Sequence, residues 1–491
     1  MAVDENTTDL SELADVDPDS ILERLNASIA RRMPTYDDLY RRWERLSWSV
    51  GDLDFSADKR HWNSLDEHHR ERLLWTLSQF YVAEQRVSAT LTPYVAAAPL
   101  RAQKLFLSTQ CVDEARHSVF FDRFFDEVVA QGDRDFARRL GNARRWVGPG
   151  FAPLLDDYLE EVTSELRSDP HDLRLFARAV AVYHIIIEGV LALTGQKFIL
   201  AWARGKDILP GFRAGFTAVA RDESRHVSFG ARVLRDLLHD DPNLLGPIHE
   251  GLGRALALGT RLFQPPGGDV SYTVAFGYSL ADLFNYGSLQ LEKKMAAIGA
   301  PMPKVDIRLP SIDAPWPPPG GGLAPTDARQ RVGTSMLGIL ERVAPGLAPG
   351  ISLMMLHLAF RPEAARHADV VYEFDLTGPG GGLFTVEVRD GGCTISLGRG
   401  TRPPDVRYEL EARTWLHMTQ AKATGDEAIL LGRLRITGDP SLGRRFGQFF
   451  APQGESRVER VARAEVKRRG LLGPPPGAGF VRRVLGRDRA A

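Results

Sequence analysis

The sequence predicts a multidomain protein in which an all-α helical bundle is followed by a small α+β domain. Three observations carry this. From about Ile21 to Gly299, apolar residues recur at spacings of three and four in long stretches rich in Leu, Ala, Arg and Glu, with few Gly or Pro inside them. Between Pro301 and Pro325 stand eight prolines and the run Gly320-Gly321-Gly322, a composition that no helix continues. Beyond it, VVYEFDL, LFTVEVRD, CTISLG and VRYELEA alternate in the manner of half-buried strands.

Taken in order, residues 1–35 read as an N-terminal extension. Its opening, MAVDENTTDLSELADVDPDS, is acidic and has no Lys or Arg before Arg24, the reverse of a secretory signal, so no export is expected. Residues 36–300 form the helical domain, with Gly148-Pro149-Gly150 marking a break between two halves. Its most apolar stretch, Ala179 to Ala203, has the length of a membrane span but carries His184 and Glu188, which a bilayer penalises; a buried bundle helix accounts for it better. Residues 301–325 read as a semi-rigid, polyproline-like spacer. Residues 326–452 form the α+β domain, with Asp390-Gly391-Gly392 as a hairpin turn. The tail, 453–491, is basic and reads as a solvated extension or as a contact for an acidic surface.

Composition narrows the partners. A chain of 491 residues, 43% hydrophobic, can bury more than one core. A formal charge of -1 gives no pull toward nucleic acid. Cys111 and Cys393, the two cysteines, suggest neither a disulfide framework nor a cysteine metal site, and fit a reducing, cytoplasmic compartment.

The chemistry lies in a repeated motif. DEARHSVF from Asp113 and DESRHVSF from Asp222 agree at Asp, Glu, Arg, His and Phe in one register. Each is preceded by an isolated Glu in an apolar helix: Glu84 in QFYVAEQRVSATL and Glu188 in YHIIIEGVLAL. A spacing of three puts Glu114 with His117, and Glu223 with His226, on one helix face. Four helices then supply Glu, Glu-x-x-His, Glu and Glu-x-x-His, the set a dinuclear carboxylate site in a four-helix bundle requires. Four carboxylates nearly cancel two divalent ions. The alternative is ion pairing on solvated helix faces, but Glu188 has no Lys or Arg within a helical turn. Asp113 and Asp222 are candidates to accept from the outer histidine nitrogens, with Arg116 and Arg225 balancing them; surface pairing is the other reading of these four.

The motifs QCVDEARHSVFFDRFF and WSVGDLDFSADKRHW, with the ligand set, resemble the ferritin-like superfamily in its ribonucleotide reductase small-subunit branch, and within it the R2-like ligand-binding oxidases, over about Leu39 to Ala300. In tyrosyl-radical small subunits the residue four after the first ligand histidine is the radical tyrosine; here it is Phe121. R2-like oxidases carry a Val three after the first ligand Glu and a Tyr five before the third, which become joined by an ether bond. This chain has Val87 and Tyr183 at those offsets. Helix geometry supports Val87, one turn from Glu84. It does not select Tyr183, since five residues is about 140° around a helix of 3.6-residue period. A core valine and a buried tyrosine bonded to a carboxylate remain the plainer readings of the two.

The resemblance implies a heterodinuclear manganese/iron pair, with di-iron the alternative, acting with molecular oxygen and an electron donor of unspecified kind. It also implies a fatty-acid-like ligand and a homodimer through the helical domain. Glu114 and Glu223 are the candidates for bridging ligands, Glu84 and Glu188 for terminal ones. Phe360 to Phe450 resembles the sterol carrier protein 2 family on FTVEVRDGG, CTISLG, PDVRYELEARTWLHMTQAKATG and GRLRITGD, which implies a lipid-binding module; a packed scaffold domain is the alternative. Together they lead us to expect an oxidase acting on an apolar substrate by two-electron C–H oxidation beside a fused carrier. The rivals are a ribonucleotide reductase small subunit, a di-iron desaturase or hydroxylase, and a non-enzymatic lipid-binding or oxygen-sensing protein.

Overall fold

The computed structural model describes residues 7–130, 135–318, 321–322 and 328–450. The basic tail expected from residue 453 lies outside the described residues. The described residues up to 300 fold as a helical bundle around one large apolar core. Seven helices matter to the site: α1 (Pro18–Arg31), α2 (Glu67–Ser88), α3 (Arg101–Phe124), α4 (Leu173–Gly205), α5 (Pro210–Asp240), α6 (Leu245–Thr260) and α7 (Leu280–Ile298). Their starts follow from local chemistry. Asp66 caps α2 by accepting from the His69 N–H. The start of α5 is buried, and there Asp58 accepts from the Gly211 and Phe212 N–H groups at 2.9 and 2.7 Å. A side chain at Gly211 would meet the Asp54 carbonyl oxygen, so glycine lets this end approach.

The stretch expected as an extension is part of the bundle. Leu13, Ile21, Leu25 and Ile29 all enter the main core, because the apolar stripe of α1 closes over α5 and α7. Among the described residues, α4 is the one helix long and apolar enough to cross a membrane, and it runs through the bundle centre instead. Its middle, Ala181–Ala192, is π-helical. The phenylalanines after His117 fill the space between α2, α3 and α5: Phe121 lies 6.1 Å from Phe80 and 5.6 Å from Phe216. Burying each such ring contributes about 1.5–3 kcal/mol.

The second domain is a six-stranded sheet in the order β1-β6-β5-β2-β3-β4, made of β1 (Val305–Ile307), β2 (Asp369–Thr377), β3 (Gly382–Arg389), β4 (Gly392–Leu397), β5 (Val406–Glu411) and β6 (Leu434–Gly438). Only the β2/β5 pair is parallel. Asp390 and Gly391, both at positive φ, make the two-residue turn between β3 and β4. The helix α8 (Ala328–Val343) lies between β1 and β2 in the chain, and α9 (Pro440–Phe450) follows β6. Phe374, Tyr408, Trp415 and Phe446 pack ring against ring in its core.

The proline-rich stretch is not the spacer its composition predicts. Val305, Asp306 and Ile307 pair with Gly438, Thr437 and Ile436, because the open edge of β6 needs backbone partners. The same segment is held by the bundle: Gly253 on α6 passes so close to the Lys304 carbonyl that a Cβ would sit 2.8 Å from it. Gln264 donates to the carbonyls of Pro310 and Leu430 at 2.9 and 3.1 Å. Arg444 on α9 bonds Asn285 on α7 at 2.7 Å.

Candidate metal centre

Four helices bring six side chains together in the bundle core. Glu84 comes from α2, Glu114 and His117 from α3, Glu188 from the π-helical part of α4, and Glu223 and His226 from α5. All six are buried. They form two overlapping groups, Glu84-Glu114-His117-Glu223 and Glu114-Glu188-Glu223-His226, in each of which one ligand atom per residue lies within 4.8 Å of the others. Glu114 and Glu223 belong to both. His117 Nδ1 is 3.5 Å from Glu84 Oε2 and 3.4 Å from Glu223 Oε1; His226 Nδ1 is 3.4 Å from Glu188 Oε1 and 3.5 Å from Glu114 Oε1.

Both imidazoles are held from behind, by an aspartate of the other motif. Asp222 Oδ2 lies 3.3 Å from His117 Nε2, and Asp113 Oδ2 lies 3.1 Å from His226 Nε2. A carboxylate on Nε2 keeps the proton there, so the inward Nδ1 is the nitrogen a metal would take. Arg225 donates to both aspartates at 3.0 and 2.6 Å, and Arg116 to both at 3.0 and 3.4 Å. The indoles of Trp43 and Trp48 complete the ring by donating to Asp113 at 2.9 Å and Asp222 at 2.8 Å. These two arginines pair with the aspartates, and their charges cancel there.

The four glutamates therefore face one another without a cation from this outer ring. Burial pushes Glu84 up to about 8 and Glu188 well above the usual carboxylate range, and the neighbouring carboxylates push the same way. Burial presses His117 and His226 down, yet the acidic groups around them hold both well above the ordinary histidine value. Glu223, although burial pushes it up, is brought down to about 2 by His117 and His226. Two atoms at the centre, Glu188 Oε2 and His117 Nδ1, are buried without any hydrogen-bond partner in the chain. Clustered carboxylates, inward ring nitrogens and orphaned atoms are the arrangement two divalent ions would satisfy, and the residues present fit such a pair.

Tyr183 on α4 and Val87 on α2 are both buried. The Tyr183 hydroxyl donates to Glu114 Oε1 at 3.0 Å. Val87 is buried on α2, one turn beyond Glu84. Four participants went unrecognised in the sequence: Trp43, Trp48, Gln110 and His184. Gln110 carries a usable signal, standing four residues before Glu114 on the same helix face. The tryptophans carry none, since Trp48 meets Asp222 across 174 residues of chain.

Fold and site define a helical domain with a buried carboxylate–histidine cluster fit for two metal ions, joined to a small mixed-sheet domain. Residues 30–250 match the family model "ribonucleotide reductase, small chain", and residues 357–451 match the SCP-2 sterol transfer family. The chain thus resembles the ribonucleotide reductase small chain in its first part and the SCP-2 family in its last. Among solved structures it is similar to an R2-like ligand-binding oxidase with aerobically reconstituted Mn/Fe cofactor, at 22% identity over 54% of this chain and 93% of that one, TM-score 0.47. A point mutant of an R2-like ligand-binding oxidase with anaerobically reconstituted Mn/Fe cofactor gives 22% identity over 54% and 94%, TM-score 0.46.

Proposed function

We propose that the helical domain is an oxidase that holds a manganese/iron pair and oxidises a long-chain apolar substrate by two electrons, with the SCP2 domain as its lipid carrier. The observation that carries this is the pair of overlapping ligand groups sharing Glu114 and Glu223. Glu84 and His117 would hold one ion and Glu188 and His226 the other, with Glu114 and Glu223, which belong to both groups, available to either. When bound, the pair supplies activation of molecular oxygen for attack on an unreactive C–H bond.

The chain's own groups do the rest. Asp113 and Asp222 hold the outer histidine nitrogens, and Arg116 and Arg225 donate to both aspartates and fix their place. The packed rings of Phe80, Phe121 and Phe216 exclude water from one side. Tyr183 presents its hydroxyl to the cluster, and we assign it with Val87 to an ether link in which a Val87 C–H and the Tyr183 O–H lose their hydrogens to oxygen as the C–O bond forms. The exposed apolar side chains Met336, Ile339 and Val343 on α8, with Leu347 and Leu358 after it, support dealings with an apolar phase. A lipid entering the second domain would have to part the rings around Phe374. The two unpaired cysteines, Cys111 and Cys393, support a cytoplasmic setting.

The test is elemental analysis of the aerobically produced full chain together with peptide mass spectrometry. Two metal ions per chain, with Val87 and Tyr183 peptides joined at a mass two hydrogens lower, are expected. Fully loaded protein with unlinked peptides would remove the ether link, and iron alone would favour the di-iron alternative. Glu114→Ala should abolish loading; retained metal would displace the site.

A further inference from the structure

We infer that Gln110, oriented by His184, is a positioning residue that ties Glu188 to its half of the centre through a single carboxylate oxygen, making the two halves inequivalent. Gln110 is wholly buried on α3, and its Nε2 donates to Glu188 Oε1 at 2.8 Å. Its Oε1 lies 3.0 Å from His184 Nε2. With the amide nitrogen on Glu188, the amide oxygen faces His184 and can only accept, so the His184 ring proton sits on Nε2. Turned over, the amide would aim an oxygen at the Glu188 carboxylate. His184 is itself locked: it is buried, Tyr94 and Phe229 pack on its ring, and the absence of a side chain at Gly230 lets it approach α5.

The consequence falls on Glu188 alone. Its Oε1 is engaged by an amide N–H, whereas Oε2 has no partner in the chain and is the free lone pair. On the other half, among the described residues, Glu84's carboxylate has His117 Nδ1 at 3.5 Å and no amide or hydroxyl donor. Tyr183 adds to the contrast, since its hydroxyl donates to Glu114 Oε1, the oxygen that faces His226. A neutral donor on a ligating carboxylate draws off electron density and resists its swing into a chelating or bridging pose. Glu188 is thereby fixed as a one-oxygen ligand, while Glu84 keeps the freedom to move.

This inference rests on the metal pair proposed above, and the experiment separates the two. Metal-free full-length protein is titrated anaerobically with Mn(II) by calorimetry. If the wild-type chain takes up no manganese, the dimetal reading fails with it. Given two equivalents, Gln110→Leu and Gln110→Met should weaken one of them by about 10–100-fold and leave the other unchanged. His184→Phe should weaken the same equivalent, and His184→Gln, which keeps an N–H for the Gln110 oxygen, should restore it. Wild-type affinity for both equivalents in the Gln110 variants overturns the inference. So does equal weakening of both, which a general structural fault would give.

Discussion

Lys294 lies wholly buried on α7, with its stem against Gly189 and its amine on the backbone and side-chain oxygens of Gln290. Burial, helped by the charge of Lys293, presses its pKa from 10.5 down to about 7. Between those two values the unfolded chain binds a proton that the folded chain does not, so stability rises with pH across that window; below about 7 the cost of burying the charge is present in full. Lys294→Met is expected to raise denaturant stability at pH 7 by on the order of 2–4 kcal/mol and to flatten the rise toward pH 10.5. An unchanged pH profile would mean the amine is solvated. Asp113 is a residue of the opposite kind, holding Trp43, Arg116, Arg225 and His226 at once. Asp113→Ala strands buried Arg225 on a single remaining partner, and a loss of about 3–5 kcal/mol in thermal or denaturant unfolding is expected.

At the scale of the element, the π-helical turn of α4 decides what the site contains. In an α-helix a residue five before Glu188 faces away from it, which is why spacing alone could not choose Tyr183. A π-helix closes its backbone bonds from i to i+5 and so stacks the two. The α-helical period was readable in the long apolar stripes, and the ligand pairs at three-residue spacing followed from it. The change of period inside AVYHIIIEGVLA has no local marker, since every residue there is compatible with an ordinary buried helix. The strands from Asp369 to Glu411 were legible for the opposite reason, because alternation and an Asp-Gly turn are local signals. β1 was hidden behind its prolines: its pairing depends on an edge 130 residues away. The seat of α4 against α5 can be tested at Gly230, where a Cβ would stand 2.3 Å from the Cβ of His184. Gly230→Ala must part the two helices, and a loss of about 1–3 kcal/mol measured by thermal melting is expected. No change would show that the helices have slack there.

At the scale of the whole molecule, the two domains meet along a seam built from α6, α7, α9 and the strand β1. A fragment beginning at residue 301 keeps β1, whereas one beginning at residue 326 leaves β6 with a bare edge. The shorter fragment should self-associate in light scattering at concentrations where the longer one stays monomeric; equal behaviour would mean that β1 is dispensable. Chelating the metal from the loaded full chain should lower the melting temperature of the bundle, since four buried carboxylates then lose their counter-charge. A strand that hydrogen-bonds to one domain while packing on the other also bears on descent. A genetic crossover at the proline run would hand the sheet domain to a new host without its outermost strand, which would stay behind on the bundle beside α6. The two halves are in that sense tied by a shared strand as well as by the chain that links them.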